Sequence, residues 1–229
     1  MEINWDELKC DAARLVRNEP VQYVTGISWF YGLKLNVTKD VLIPRPETEE
    51  LLQKISKIPL KKTKILDIGT GSGCIAISVK KLFPEAEVFA SDNSETALKI
   101  AKHNAEKNDT EIIFINDDIL KSKIQMNFDI IVSNPPYVTE KEKSQMDKNV
   151  LEYEPHNALF VPDTDALKFY TAITQFANKK LNSSGYLFFE INEVYNDEVC
   201  DLLGNYSFIN IESFKDINNK WRIVKAQKA

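Results

Sequence analysis

From Lys64 to the C-terminus, short apolar runs alternate with stretches whose apolar residues recur at helical spacing, and this alternation leaves few folds open. "KILDIG", "EVFASD", "EIIFIND", "FDIIVSN", "GYLFFEI", "FINIESFKD" and "WRIVKAQ" read as seven strands. "CIAISVKKLF", "SETALKIAKHNAEKN", "DALKFYTAITQFANKKL" and "NDEVCDLLGN" read as helices between them. A strand that reaches its neighbour through a helix pairs with it in parallel and lays the helix on a face of the sheet. The predicted fold class is therefore α/β, a doubly wound, seven-stranded, mostly parallel sheet. The last two strands follow each other with no helix between them and predict an antiparallel edge.

The chain before Lys64 reads differently. Trp5, Leu8, Ala12, Leu15 and Val16 fall on one face of a short helix that Pro20 stops. "VQYVTGISWFYGLKLNVTKDVLI" predicts a β-hairpin, with aromatic and β-branched residues around Gly26 and Gly32. "PRPETEELLQKI" opens a helix with Pro46 in its first position and Glu47, Glu49 and Glu50 near its positive end. A unit of about 60 residues barely supports a core of its own. Residues 1–60 are therefore expected to form an appendage of short helix plus hairpin, packed on a body of residues 61–229.

Composition narrows the function. The chain has 229 residues, is 43% hydrophobic and carries a net charge of −5, with Lys and Arg scattered among Asp and Glu. No basic footprint for nucleic acid emerges, and "PLKKTK" and "TEKEKSQ" read as solvated loop surface. No apolar segment approaches the length of a membrane span. "MEINWDELKC" lacks the regions of a signal peptide. Three distant cysteines without a Cys-x-x-Cys pattern, and only two His, point to reduced thiols, a cytoplasmic protein and no metal site.

"LDIGTGSGC" joins the first strand of the sheet to its helix, with glycines at 69, 71 and 73. Such a loop turns tightly and lets backbone approach a ligand. A dinucleotide loop would need its third glycine at position 74, which is Cys74. Asp67-x-Gly69-x-Gly71-x-Gly73 instead resembles the first motif of S-adenosylmethionine-dependent methyltransferases. Asp92 ends the second strand, where it can accept from both hydroxyls of a ribose, or cap the next helix as Asn93 or Ser94 also could. After the third strand, Asp118 could bind an adenine amino group and Ile119 pack on the ring; alone, that acidic pair would be read as a turn.

The fourth strand ends in "SNPPY". In a doubly wound sheet the ligand crevice lies where the strand order reverses, which faces these residues toward the glycine loop if strands one and four are neighbours. The prolines have no N–H to pair, and a residue before proline is held extended. The Asn134 side-chain oxygen and the Pro135 carbonyl can then converge as two acceptors. That pair suits a planar –NH2, with Tyr137 stacking on the group and excluding water. Holding both hydrogens aims a poorly nucleophilic amide nitrogen in line with a sulfonium methyl.

"PVQYVTG", "VLIPRPETEE", "LDIGTGSGCIAISV", "IVSNPPYV", "EPHNALF" and "KFY" occur in the order found in the PrmC/HemK-type release factor glutamine methyltransferases, and from Pro20 to "WRIV" the chain resembles that family. The resemblance implies a Rossmann-like class I fold. It also implies methyl transfer from S-adenosyl-L-methionine to the side-chain amide nitrogen (N5) of the glutamine in the Gly-Gly-Gln motif of peptide chain release factors, with S-adenosyl-L-homocysteine as product. By position, Asp67, Gly69, Thr70, Gly71, Gly73, Asp92, Asp118, Ile119 and Asn134 would hold the cofactor. Asn134, Pro135, Pro136 and Tyr137 would hold the substrate amide, with Arg45, Pro46 and Glu47 near the pocket mouth, and Asn134, Pro135 and Tyr137 would be catalytic.

Two departures stand out. Only about one helix precedes Pro20, where the family carries a helical recognition domain, so residues 1–60 are expected to be a remnant of it, by truncation or by recognition through less surface. Ile119 stands where many relatives carry an aromatic residue. Asn-Pro-Pro-Tyr also occurs in amino-directed adenine methyltransferases of nucleic acids, against which the charge and "PRPETE" argue. A further reading is a module that binds S-adenosylmethionine without efficient turnover.

Overall fold

A computed structural model describes residues 4–59 and 63–229; the boundary expected between residues 60 and 61 lies outside the described residues. Helix α1 (Trp5–Val16) starts at Asn4, whose side chain accepts from the Glu7 N–H, and buries none of its residues. Its apolar side, Trp5, Leu8, Leu15 and Val16, is exposed. The short helix α2 (Val21–Thr25) corrects the expected hairpin start. Tyr23 and Val24 of this helix are buried, and Gly26 ends it in a left-handed conformation. The Arg14 guanidinium donates to the carbonyls of Tyr23 and Val24 and pairs with Glu19.

The hairpin itself is β1 (Ile27–Phe30) against β2 (Leu33–Asn36), antiparallel. Its two turn residues, Tyr31 and Gly32, both have positive φ, the turn whose twist matches the flanking strands. Helix α3 (Pro46–Ile55) begins at Pro46 as the sequence predicts.

The body then runs β3 (Lys64–Ile68), α4 (Cys74–Leu82), β4 (Glu87–Asp92), α5 (Glu95–Lys107), β5 (Ile113–Asn116) and β6 (Phe128–Ser133). A long connection holds β7 (Val138–Thr139), α6 (Lys148–Tyr153) and β8 (Phe160–Val161), with β7 and β8 paired in parallel. It leads to α7 (Lys168–Lys180), β9 (Leu181–Glu190), α8 (Asn196–Asn205), β10 (Phe208–Lys215) and β11 (Trp221–Lys228). The seven-stranded sheet has the order β10-β11-β9-β6-β3-β4-β5. Only β10 and β11 add antiparallel pairs, so the fold is the doubly wound, mostly parallel sheet read from the sequence.

Side-chain alternation along the strands splits the core between the two faces of the sheet. Leu66, Ile131, Leu187 and Phe189 face α7 and α8. Ile65, Ile130, Val132 and Phe188 face α3 and α4. Phe30 and Leu35 of the hairpin belong to this second cluster and are almost wholly buried. At about 25 cal/mol per Å2 of apolar surface removed from water, each contributes roughly 2 kcal/mol of attachment.

A single amide reinforces that attachment. Asn104 of α5 is fully buried. Its Oδ1 accepts from the Asn36 N–H at 2.7 Å, and its Nδ2 donates to the carbonyls of Asn36 and Ser72, both at 2.9 Å. The hairpin, α5 and the glycine loop are thus joined through one side chain. Asn104→Ala should lower unfolding free energy by about 3 kcal/mol, because three bonds are lost and the backbone groups they served stay poorly solvated. Urea denaturation should show this as a lower midpoint with an unchanged slope.

Candidate functional site

Strands β3 and β6 are parallel neighbours, and their register sets Ile68 beside Ser133. The Ser133 hydroxyl donates to the Ile68 carbonyl at 2.7 Å and locks the two strand ends together. The next residue on each strand, Gly69 and Asn134, opens onto one crevice at the point where the strand order reverses. A cleft of about 820 Å3, counted to its open mouth, occupies this place.

Of the residues expected from the sequence, Gly69, Gly71, Asp92, Asp118, Ile119, Asn134, Pro135 and Pro136 line the cleft wall. Asp67, Thr70, Gly73 and Tyr137 do not line it. Arg45, Pro46 and Glu47 do not line it either. Arg45 forms an ion pair with the buried carboxylate of Glu154, which ties the segment ahead of α3 to the long connection.

The loop's geometry explains its glycines. Gly71 has φ +55° and its missing Cβ would meet nothing within 4 Å, so backbone faces open cleft. Gly73 has φ +84°, and a Cβ there would sit 3.1 Å from the Ala101 Cβ. The left-handed φ and the close approach of α5 together favour glycine at 73. Asp92 accepts from the Gly71 N–H at 3.0 Å through one oxygen and from the Ser94 N–H at 2.9 Å through the other. Ser94 itself caps α5 by accepting from the Ala97 N–H. Each Asp92 oxygen keeps a lone pair for a further donor, and burial raises its pKa.

Asp67 is buried beneath the loop. Its Oδ2 accepts from the Thr70 hydroxyl at 2.6 Å, and its Oδ1 has no hydrogen-bond partner. Burial raises this carboxyl from 3.8 to about 7, against the opposing effect of the Thr70 hydroxyl. The wall itself carries four carboxyls, Asp40, Asp92, Asp117 and Asp118, and no basic side chain. Such a lining repels phosphate and favours a ligand bearing positive charge with hydroxyl or amino donors. S-adenosylmethionine, a sulfonium with an ammonium group and a ribose diol, fits this donor demand.

Several wall residues were missed from the sequence. Asp40, Val41 and Leu42 come from the segment between hairpin and α3, Asn157 from the long connection, and Phe169 from α7. Phe169 supplies an aromatic side chain on a wall where Ile119 is aliphatic. "KFY" was the one signal for it. Glu190 was also missed as anything but strand, although an acidic residue closing the apolar run "YLFFE" is itself a signal. It is 1% exposed. Its Oε2 accepts from the Thr48 hydroxyl at 2.6 Å and its Oε1 from the Tyr137 hydroxyl at 3.2 Å. Thr48 in turn accepts from the Asn134 Nδ2 at 3.4 Å.

Comparison with known proteins gives a consistent picture. Residues 46–158 match the family model described as methyltransferase small domain. The chain is 50% identical over 218 residues to the release factor glutamine methyltransferase of Flavobacterium psychrophilum, covering 93% of this chain and 76% of that one. It is 46% identical over 224 residues to the release factor glutamine methyltransferase of Bacteroides thetaiotaomicron, covering 97% and 81%. The crystal structure of protein-(glutamine-N5) methyltransferase (release factor-specific) from Alicyclobacillus acidocaldarius aligns with a TM-score of 0.51 at 25% identity, over 85% of this chain and 99% of that one.

The Asp67 environment predicts a pH effect on stability. Between pH 3.8 and about 7 the folded chain holds a proton on Asp67 that the unfolded chain has released. This group therefore makes stability fall as pH rises through that window, and its effect is constant above it. Asp67→Asn has no such proton. In urea denaturation of ligand-free protein, its stability relative to wild type should rise by at least about 1.4 kcal/mol across the window, the equivalent of one pKa unit.

Proposed function

Because the chain belongs to the release factor glutamine methyltransferase family, we propose that it transfers a methyl group from S-adenosyl-L-methionine to the side-chain amide nitrogen of the glutamine in the Gly-Gly-Gln motif of a peptide chain release factor, leaving S-adenosyl-L-homocysteine. One observation carries this reading: Asn134 and Pro135 share a cleft wall with Gly69, Gly71 and Asp92. Amide acceptors and a cofactor loop on one wall are what transfer to an amide nitrogen requires.

When bound, S-adenosylmethionine supplies an electrophilic methyl on a sulfonium centre. The chain's own residues supply position. Gly69 and Gly71 offer close backbone approach, Asp92 accepts from the ribose hydroxyls, and Asp118 and Ile119 meet the base. Asn134 Oδ1 and the Pro135 carbonyl accept the two hydrogens of the substrate amide. Among the described residues no hydrogen bond ends on the Pro135 carbonyl, which supports its availability. Proline at 135 and 136 removes the N–H groups that would otherwise compete. Tyr137, which follows the wall prolines, gives its hydroxyl to Glu190 and does not line the cleft. The chemistry asked of the protein is orientation of a weak nucleophile, for which alignment alone is worth several kcal/mol.

Residues 1–60 serve, on this reading, as part of the surface that receives the release factor. The substrate makes the cytoplasm the place of action, and no helix among the described residues is long and apolar enough to cross a membrane.

Incubation of purified protein with S-adenosylmethionine and a release factor should add one methyl mass to the Gly-Gly-Gln peptide. Asn134→Ala should lower kcat by about 100-fold or more, the usual loss when a group oriented on the reacting atoms is removed. Its affinity for S-adenosylmethionine, read by calorimetry, should stay within about tenfold, since the acceptors act on the substrate. Methyl transfer to DNA or RNA instead, or an unchanged rate in the variant, would overturn the assignment.

A further inference from the structure

We propose that Glu190 and Thr48 are positioning residues that decide which end of the Asn134 side-chain amide faces the cleft. The proposal rests on the reading that Asn134 Oδ1 accepts from the substrate amide. The carbonyl oxygen and the NH2 of an asparagine are nearly the same size, so shape alone does not choose between them. A flipped Asn134 would point two N–H donors at a substrate –NH2 and repel it.

The choice is made one and two residues away. Both Glu190 oxygens act as acceptors here, Oε1 from the Tyr137 hydroxyl and Oε2 from the Thr48 hydroxyl, 2.6 Å distant, so the Thr48 proton is committed to Glu190. What Thr48 then offers in any other direction is a lone pair. Asn134 can meet that lone pair only with its Nδ2, the observed contact at 3.4 Å, and its oxygen is left for the cleft. The same carboxylate uses its other oxygen to receive the Tyr137 hydroxyl at 3.2 Å. Glu190 thus orients two of the four residues in "NPPY".

The parts are placed for this and little else. Side-chain alternation on β9 puts Glu190 on the same face as Phe188, toward α3, where Thr48 is 2% exposed. Burial pushes the Glu190 carboxyl up, and the Thr48 hydroxyl, Arg222 of β11 and the Tyr137 hydroxyl oppose that effect. Glu47 of α3, Tyr170 of α7 and Cys74 of α4 are the other titratable groups that feel it. A buried carboxylate held among so few compensating groups is costly to keep, and packing alone would be served by an apolar residue.

The test compares Thr48→Val, which keeps the shape and loses the hydroxyl, with Thr48→Ser, which keeps the hydroxyl. With wild type and Asn134→Ala assayed alongside, Thr48→Val should lose about 10- to 100-fold in kcat, and Thr48→Ser should stay within about threefold of wild type. Calorimetric affinity for S-adenosylmethionine should be unchanged in both. In ligand-free protein, NMR should show the Asn134 side-chain N–H protons exchanging at least tenfold faster in Thr48→Val than in wild type or Thr48→Ser. This readout holds whether or not the proposed methylation is the true reaction. Equal exchange in all three, or full kcat in Thr48→Val, overturns the proposal. If Thr48→Val fails to fold, Glu190→Gln repeats the test, because an amide lets the Thr48 proton point either way. The same fall in kcat with faster exchange supports the relay, and wild-type values of both overturn it.

Discussion

Two strands paired in parallel end at the same edge of a sheet, and the site depends on β3 and β6 being such a pair. Had the chain continued outward after β5, Asn134 would have emerged far from the glycine loop. Instead the chain returns past β3, and the register that sets Ile68 beside Ser133 delivers two loops of different composition to one crevice. One loop is rich in glycine and yields backbone to a ligand. The other is rich in proline and withholds donors from it. The Ser133 hydroxyl bond to the Ile68 carbonyl fixes the spacing between them.

Charge is handled in the same region by two opposite means. On the cleft wall Asp118 meets Lys121, while Asp40, Asp92 and Asp117 form no ion pair among the described residues, so their field reaches whatever enters. Glu190, which does not line the cleft, is given hydroxyl donors by Thr48 and by Tyr137 of the segment that follows the wall prolines. Asp67 belongs to neither class, with one oxygen satisfied by Thr70 and one left over. The first group attracts a ligand, the second shapes the wall, and Asp67 couples loop geometry to the protonation state of the interior.

Much of this was legible in the sequence because it is local. Strand period, the three glycines and the "NPPY" group each lie within a few consecutive residues, and together they led to the sheet, the crevice and the family. What failed was of two kinds. Val21–Thr25 carries β-branched residues and reads as strand, yet it is a helix with Tyr23 and Val24 buried, a case where tertiary context overrides propensity. The second kind is non-local. Thr48, Asn134 and Glu190 are separated by 86 and 142 positions in their contacts. No spacing in a single sequence announces that a helix start, a loop and a strand end will share one chain of protons. Asp40 and Asn157 reach the cleft wall through connections whose composition looks like ordinary loop.

Asn104 has a bearing on how far this protein can be taken apart. Its amide clasps Asn36 on one side and Ser72 on the other, while Phe30 and Leu35 of the same hairpin fill part of the core under β3 and β6. Removing the chain ahead of β3 to obtain a minimal catalytic body would therefore uncover an apolar hollow and strip the buried Asn104 amide of both its Asn36 partners in the same stroke. Modularity in this protein ends before the seam that the sequence pattern draws: the residues that look like an accessory are one wall of the foundation.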